Sequence, residues 1–423
     1  MNKRIDNYLN NSDKKVAILV TGTLVAQLIT ILLTPLLSRI YSPSDFGLFA
    51  IFFSTTGILS SIIGGRYEIA IVQPKKMSES MTLAFISLSI MLLSTISLTL
   101  FYFLFKEKIF QLTNVDSNFL ILIPLLTFFI GLFNILDMLN TRLENYNSIS
   151  IAKILRSLVQ NVTPIALAYI STNFINLLVG YLSGFIITYT TLIKKIFFKK
   201  ENLKDISIEK SFSIIKKYKV FPLYNAPSSF ANTVTHQLPF IFIYYIGGEA
   251  TNGLYFLAAR LISIPTTLIG VSFSQVFYRQ IIFNINNKIK LLPLFNESIR
   301  KLFFIALPCF LLIFFLSPKL FPLILGKEWI ESGIIAQYLG CIFLIQFIVS
   351  TVSQVISIEK YVLRGAKWKY GYFFSSILLY SMSYFAKIDF YTFLLFLVIH
   401  EYILYSIYFY IILKSVKEND ACL

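Results

Sequence analysis

Ionisable side chains inside apolar stretches are the residues of this chain best placed to carry chemistry, and Arg260 is the first of them. It lies about eight residues, or roughly 12 Å, into its stretch, too deep for the side chain to reach a surface comfortably. Its guanidinium suits bidentate binding of phosphate oxygens, which predicts a substrate contact. The alternative is a structural pair with Glu401 or another acid, because an unpaired charge in hydrocarbon costs at least about 2.5 kcal/mol.

Lys153 and Arg156 form a second candidate substrate site, because residues three apart share one face of a helix. Together they would attract an anion that enters from the cytoplasmic side. Either side chain could instead extend to the interface or pair with Asp137 on the preceding apolar stretch. We favour that alternative for Lys153, and the two interpretations are equally supported for Arg156.

Arg66 and Glu68 lie in the run Gly64-Gly65-Arg66-Tyr67-Glu68, at the end of an apolar stretch. A glycine pair allows the backbone to bend or another helix to approach closely. Arg66 is a further candidate for substrate binding, although a structural ion pair with Glu68 is the default interpretation.

His236 and Glu401 are the candidates for ion coupling, because both fall near the middle of apolar stretches. Either could bind or relay a proton or a sodium ion, and Glu401 is the stronger candidate. His236 stands among Pro222, Pro227 and Pro239, which predict a kinked helix. A hydrogen bond from His236 to a carbonyl that the kink frees is therefore the favoured interpretation of that residue.

Motifs of enzymes and metal sites are missing from the sequence. It contains no G-x-x-x-x-G-K-[ST] phosphate-binding loop and no G-x-S-x-G element. His400 and Glu401 begin like the zinc motif H-E-x-x-H, but Leu404 occupies the position of the second histidine. The three cysteines show no C-x-x-C spacing. Enzyme chemistry is therefore the less favoured class, and no metal site or cofactor is expected.

The composition indicates that the apolar stretches lie in a lipid bilayer. Of the 423 residues, 56% are hydrophobic and only 14% are charged, whereas about a quarter of the residues in a soluble domain are charged. About twelve spans are predicted, at roughly residues 16–37, 46–65, 82–105, 118–139, 150–171, 174–193, 221–246, 252–276, 302–325, 333–356, 368–386 and 390–413. The predicted fold class is an all-α polytopic membrane protein of about twelve transmembrane helices.

The positions of the basic residues orient the chain. Lys and Arg are retained on the cytoplasmic side of membranes, which predicts cytoplasmic N- and C-termini here. Of the 37 Lys and Arg, the predicted outer loops hold only Arg39, Lys106, Lys108, Lys319, Lys327 and Lys387. The net charge of +16 does not indicate nucleic-acid binding, because the cations occupy short loops rather than one continuous face.

A basic loop at residues 194–219 divides the predicted spans into two sets of six. The predicted domains are therefore an N-terminal bundle at 1–193, this linker, and a C-terminal bundle at 220–423. Residues 206–220 mix apolar side chains with lysines, which suits a helix lying in the anionic inner interface. A solvated basic linker is an equally supported interpretation.

The two halves also share a short repeat. Gly-Leu-Phe at 47–49 corresponds to Gly-Leu-Tyr at 253–255, and Ile-Gly at 63–64 corresponds to Ile-Gly at 269–270. With equal helix counts on either side of a central loop, this repeat indicates duplicated transporter halves. Two parallel halves imply a cleft between them.

Several segments of the chain carry a resemblance to a known family. They are S-R-I-Y-S-P-S-D-F-G-L-F at 38–49, R-Y-E-I-A-I at 66–71, G-L-Y at 253–255, A-A-R at 258–260 and Pro265. These segments resemble Wzx-type polysaccharide flippases of the multidrug/oligosaccharidyl-lipid/polysaccharide exporter (MOP) superfamily. The likeness extends along the chain in length, helix count and the central basic loop.

The resemblance implies two six-helix bundles around a central cavity, as in MATE transporters, and a lipid-linked cargo. That cargo would be an undecaprenyl-diphosphate-linked oligosaccharide, such as an O-antigen (lipopolysaccharide) or capsule repeat unit. It would be moved to the outer leaflet of the bacterial inner membrane by alternating access. A diphosphate cannot cross hydrocarbon unless its negative charge is neutralised, so Arg260 and Arg156 would neutralise it while the polyprenyl tail stays in lipid. Membrane lipids are the other expected partners, and association with a polysaccharide polymerase and a chain-length regulator stays open.

Two alternatives to this cargo remain. A multidrug or ion-coupled exporter of the same fold would bind amphipathic cations through acids such as Glu401, but the excess of basic residues argues against it. A membrane polymerase of polysaccharides would be expected to use a large outer loop. No outer loop longer than about 14 residues is predicted.

Overall fold

Helices make up the regular structure of the protein in its computed structural model, which describes residues 2–113, 117–197 and 208–421. The α-helices are α1 (Asn2–Ile40), α2 (Pro43–Ser60), α3 (Tyr67–Ala70), α4 (Met77–Thr113), α5 (Ser117–Leu120), α6 (Leu122–Arg142), α7 (Tyr146–Leu167), α8 (Phe174–Phe197), α9 (Ile208–Lys217), α10 (Ala226–Pro265), α11 (Val271–Asn286), α12 (Leu291–Leu325), α13 (Ile330–Val352), α14 (Val362–Phe385) and α15 (Phe390–Ala421). The predicted all-α fold class is confirmed.

Among the described residues, eight helical stretches are long and apolar enough to cross a membrane: Ala17–Ile40, Met77–Lys108, Leu122–Arg142, Phe174–Lys194, Phe221–Asn286, Leu291–Leu325, Lys327–Ser357 and Phe390–Ala421. The second, fifth and eleventh predicted spans are also helical, as α2, α7 and α14. The seventh and eighth predicted spans share one of the eight stretches, Phe221–Asn286. The protein is therefore a multi-pass membrane protein, and its helices agree with about twelve passes.

Many hydroxyl side chains within the spans are bonded to the helix that carries them. Thr30 donates to the carbonyl of Ala26 at 3.2 Å, and Thr188 donates to the carbonyl of Gly184 at 2.7 Å. Hydrocarbon offers no hydrogen-bond partner, so a hydroxyl that bonds to the preceding turn can enter a span at low cost. The serines and threonines therefore do not contradict the apolar character of the spans.

The chain forms two compact units. The first comprises Met1–Ile40 and Ile51–Gln237, and the second comprises Tyr41–Ala50 and Leu238–Leu423. The second unit thus includes the first turns of α2, a segment that precedes the rest of that unit in the sequence by nearly half the chain. The domain boundaries drawn from the sequence stay a prediction, and residues 198–207 of the predicted linker lie outside the described residues.

In the first unit, α1 packs closely on α7 along a row of small residues. Ser150 of α7 donates to the carbonyl of Ile18 at 2.8 Å, and Ser157 donates to the carbonyl of Ala26. A Cβ atom at Gly22 would collide with the side chain of Ser150. Small residues allow backbones to approach closely in membranes, where apolar surface alone does not drive helices together. This contact fixes the position of α7, which carries Lys153 and Arg156.

Helix α9 lies within the predicted linker and packs against other helices of the first unit. Ile214 is buried in a cluster with Tyr67, and the Tyr67 hydroxyl donates to the carbonyl of Ile215 at 3.3 Å. Lys217 Nζ lies 2.7 Å from Glu79 Oε2, and this hydrogen bond raises the pKa of Lys217 above its ordinary value. The helical part of residues 206–220 is thus anchored to the bundle, whereas its placement at a membrane surface stays a prediction.

In the second unit, helices α2 and α10 approach each other at two glycines of the sequence repeat. A Cβ atom at Gly47 would overlap the carbonyl of Glu249, and one at Gly253 would overlap the carbonyl of Pro43. Asn252, beside this crossing, donates its side-chain amide to the carbonyl of Gly47 at 2.9 Å. The two repeated segments therefore pack backbone against backbone, which requires glycine at both positions.

Gly248 interrupts α10 where the sequence predicts an outer loop. Its backbone lies at φ 79° and ψ −176°, which only glycine adopts readily. The seventh and eighth predicted spans are therefore separated by a break at one residue rather than by a longer loop. Past Pro265, the π-helical turn Thr266–Gly270 continues the chain into α11.

Substituting Gly253 tests the close crossing. Gly253→Ala should destabilise the protein strongly, because its new methyl group has to displace the backbone of Pro43. Gly371→Ala is the matched control, since a Cβ atom there meets nothing within 4 Å. Thermal unfolding of the detergent-purified protein should show a midpoint several degrees lower for Gly253→Ala and unchanged or higher for the control. Equal midpoints for the two variants would contradict the crossing.

Candidate functional site

Arg156 lies in α7 with its guanidinium enclosed by aromatic rings. The guanidinium carbon is 3.7 Å from the ring centroid of Phe185, 5.2 Å from that of Phe133 and 5.7 Å from that of Tyr181. These rings belong to α6 and α8, which pack on α7 or on each other within the first unit. Ring faces attract a cation without using its N–H donors, so the positive charge is stabilised and its donors remain directed within the guanidinium plane.

Lys153 and Asp137 are the charged neighbours of Arg156. Asp137, in α6, interacts electrostatically with both cations. Lys153 Nζ donates to the hydroxyl of Thr23 in α1 at 3.3 Å, while the buried Oδ1 atom of Asp137 accepts no hydrogen bond from the part of the chain that the structure describes. The structure thus brings two predicted substrate contacts together with the acid considered as their partner. Two cations beside one carboxylate leave a net positive charge in this group, which can attract an anion.

Arg66 pairs with Glu68 at the junction between α2 and α3. Arg66 Nη1 lies 3.7 Å from Glu68 Oε1, and Ser87 donates to Glu68 Oε2 at 3.3 Å. Arg66 itself lies in the left-handed region at φ 62°, as does the preceding Gly65 at φ 63°. These contacts match the structural ion pair that is the default interpretation of the sequence. They do not join Arg66 to Lys153 or Arg156.

Glu401 is buried in α15, and its two carboxylate oxygens share the single hydroxyl proton of one tyrosine. The hydroxyl of Tyr372 in α14 lies 2.7 Å from Oε1 and 2.9 Å from Oε2. His400 Nδ1 is 3.7 Å from Glu401 Oε1, and His400 Nε2 lies 3.1 Å from the hydroxyl of Ser375. This network fixes the carboxylate inside the second unit and links it to the other histidine of the chain.

Tyr372 is the polar residue of this network that the sequence did not predict. It belongs to a set of aromatic residues on α14 and α15 that includes Trp368, Tyr405 and Tyr408. Trp368 and Tyr372 are four residues apart, as are Glu401 and Tyr405. Residues four apart share one face of a helix, so each of these two predicted spans has a face that combines aromatic and polar residues. This pattern could have predicted Tyr372 as a partner of Glu401.

Arg260 and His236 both lie in α10 but in different compact units. Arg260 is half-buried in the second unit, five residues before the helix ends at Pro265. His236 is exposed and belongs to the first unit. The second unit therefore holds Arg260 and Glu401, and the first unit holds the other four predicted site residues. Substrate binding and ion coupling by these side chains stay predictions.

The family is decided by residues 36–333, which match the polysaccharide biosynthesis protein family. The chain belongs to this family. The match covers most of the chain, including α2, α7 and α10, and it confirms the resemblance found in the sequence. A comparison with curated individual proteins gives no match.

Solved structures of the MOP superfamily share the fold. A multidrug resistance MATE family transporter in an inward-facing conformation aligns with a TM-score of 0.72 and 15% identity, covering 94% of this chain and 99% of that chain. The outward-facing conformation of such a transporter aligns with a TM-score of 0.64 and 14% identity, covering 96% of each chain. A MOP superfamily transporter from Pyrococcus furiosus Vc1 aligns with a TM-score of 0.65 and 14% identity, covering 96% of each chain. The predicted two-bundle MOP fold is thus confirmed.

A double-mutant cycle tests the network around Glu401. Tyr372→Phe should lower the free energy of unfolding by about 1–3 kcal/mol, because the buried carboxylate loses the phenol proton that its two oxygens share. In a Glu401→Gln background the same substitution should cost less, since an amide needs weaker compensation than a charge. Unfolding of the four purified proteins in detergent gives the coupling. Additive effects would contradict a direct pair.

Proposed function

We propose that the protein is a flippase for undecaprenyl-diphosphate-linked oligosaccharide repeat units. It would move them from the inner to the outer leaflet of the bacterial cytoplasmic membrane by alternating access, with both termini cytoplasmic. Membership of the polysaccharide biosynthesis family supports a carbohydrate cargo. A multi-pass fold shared with MOP transporters supports transport rather than enzyme chemistry. An O-antigen or capsule unit fits this proposal equally well.

The observation that carries the proposal is the charge group of Lys153 and Arg156 on α7, the helix of the fifth predicted span. Its net positive charge suits a diphosphate, whose own charge has to be neutralised within the membrane. The rings around Arg156 stabilise its charge from the faces, so its planar donors can bind phosphate oxygens in bidentate fashion. The two cations would interact with the diphosphate instead of Asp137 while the cargo is bound, and with Asp137 again after it dissociates.

The remaining predicted residues have secondary places in this proposal. Arg260 is a further candidate contact for the diphosphate, whereas the ion pair of Arg66 with Glu68 favours a structural role for that arginine. Glu401 is the stronger candidate for proton or sodium coupling, because its buried carboxylate is held by a hydroxyl that can follow a change in its charge. His236 is the weaker candidate.

A multidrug exporter is the second candidate, and one observation favours it. The Glu401 carboxylate is bonded to Tyr372, whose ring packs against those of Trp368 and Tyr405, and a carboxylate with aromatic rings can bind an organic cation. We rank it second because the cations on α7 have no use in such a transporter. The two proposals differ in what accumulates in cells that lack the protein.

Deletion of the gene separates the candidates. A flippase mutant should accumulate complete lipid-linked repeat units on the cytoplasmic leaflet, as measured by lipid extraction and protection from an external glycosidase. A polymerase mutant would instead display single repeat units on the outer face. If the mutant instead makes normal surface polysaccharide and is more sensitive to cationic drugs, the flippase proposal is rejected in favour of the multidrug exporter.

Substitution of Arg156 tests the diphosphate site in the complemented strain. Arg156→Ala should reduce export at least about tenfold, because one charge-assisted bidentate contact is worth more than 1.4 kcal/mol. Arg156→Lys should retain part of the activity, since it keeps the charge but not the planar donors. Arg260→Ala and Arg260→Lys should follow the same order.

Arg300→Ala is the matched control for these variants, because Arg300 is exposed on α12 and should tolerate the change. Membrane levels of every variant are compared by immunoblot. Normal export by Arg156→Ala at normal membrane levels would show that this arginine is not a required phosphate contact.

A further inference from the structure

A groove of about 500 Å³ lies between α14 and α15 in the second unit. It is lined by Arg364, Lys367, Trp368, Gly371, Tyr372, Leu404, Ile407, Tyr410, Ile411 and Lys414. Its volume falls in the range of about 300–1,000 Å³ that is typical of ligand sites. The candidate substrate cations on α7 belong to the other unit, so the groove is a separate feature.

The lining residues recur at helical spacing, so each helix contributes one continuous face. On α14 this face runs from Arg364 to Tyr372, a rise of about 12 Å, and on α15 it runs from Leu404 to Lys414, a rise of about 15 Å. The hydrocarbon core of a bilayer is about 30 Å thick, so the groove is about one leaflet deep.

The groove is polarised along its length. Arg364, Lys367 and Lys414 lie toward one end, while Leu404 and Ile407 form apolar wall further along. Lys367 and Lys414 are exposed, whereas Arg364 is held in place by Glu418 at 2.7 Å. A positive rim above an apolar wall is the arrangement that matches an anionic headgroup above an acyl chain.

Trp368 makes one wall rigid. Its ring stacks on that of Tyr408 with centroids 3.9 Å apart and planes at 10°. Its indole N–H donates to the carbonyl of Leu404 at 3.1 Å. A wall that is already ordered loses little conformational freedom when a ligand binds, which favours affinity.

Gly371 keeps the groove open. It lies in the interior of α14, where glycine costs roughly 0.5–1 kcal/mol relative to alanine. Close packing does not explain the glycine, because a Cβ atom there would meet nothing within 4 Å. Its missing side chain instead leaves space between Trp368 and Tyr372 for another molecule.

We propose that this groove binds one anionic phospholipid of the surrounding bilayer. The phosphate lies at Lys367 and Lys414, beside the oriented Arg364, and one acyl chain lies along the wall formed by Trp368 and Ile407. The depth of one leaflet favours a phospholipid over an undecaprenyl chain, which is several times longer. At the inner end of the groove Tyr372 donates to Glu401, so the site ends one residue away from that carboxylate.

Native mass spectrometry of the full-length protein tests the site with phosphatidylglycerol as the probe and phosphatidylcholine as the zwitterionic comparison. The wild type should retain one phosphatidylglycerol in preference to phosphatidylcholine. Lys367→Gln with Lys414→Gln should weaken that retention about tenfold or more, because each cation near a headgroup contributes about 1 kcal/mol. Lys369→Gln with Lys417→Gln is the matched control, since these exposed lysines lie on the same helices but do not line the groove.

Filling the groove distinguishes a lipid site from a phosphate site. Gly371→Phe leaves every charge in place and should abolish phosphatidylglycerol retention, and Gly371→Leu serves if the larger side chain prevents folding. Inorganic phosphate at millimolar concentration should not displace the lipid. The proposal would be overturned if the filling variants left lipid retention unchanged, or if both lysine pairs lost it equally. It would also be overturned if the protein retained phosphatidylcholine equally well, released the lipid to phosphate, or preferred undecaprenyl phosphate.

Discussion

A polar group that enters an apolar span is stabilised only by partners within the protein, because hydrocarbon supplies none. The backbone meets this constraint by forming helices, and many hydroxyls meet it by bonding to the preceding turn, as Thr30 and Thr188 do. Charged groups meet it in two ways. The guanidinium of Arg156 lies against ring faces, and the two oxygens of Glu401 share the hydroxyl proton of Tyr372. The positions of these partners determine which helices have to pack together.

The two ways of stabilising a buried charge, ring faces for Arg156 and a hydroxyl for Glu401, differ in which ligands the charged group can still bind. Ring faces take up none of the five N–H donors of Arg156, of which one contacts Tyr181, whereas the Tyr372 hydroxyl lies against both oxygens of Glu401. A ligand of the carboxylate would first have to displace that phenol. Relatives with the same fold share only 14–15% identity with this chain, so the fold does not select the cargo. The choice between anion and cation rests on these few side chains.

The sequence predicted the elements better than their contacts. Span length and hydropathy located the helices, and the three-residue spacing of Lys153 and Arg156 placed both on one face with Asp137 as their acid. The rings around Arg156 could not be predicted, because Phe133 and Phe185 look like ordinary apolar residues until the packing of α6 and α8 is known. Gly248 was hidden in a predicted loop for a similar reason, since hydropathy measures composition and is insensitive to a single backbone angle.

The membership of Tyr41–Ala50 in the second unit has a consequence for biosynthesis. Chains are made from the N-terminus at about 5–20 residues per second, so this segment precedes its partner around Gly253 by on the order of 10–40 seconds. During that interval the helix face that carries Gly47 has no native neighbour. The first turns of α2 are therefore inserted before the segment that they pack against has been synthesised. A defect at Gly47 would then arise after insertion, as failed assembly of correctly inserted helices, and the quality-control proteases of the membrane would encounter it at that stage.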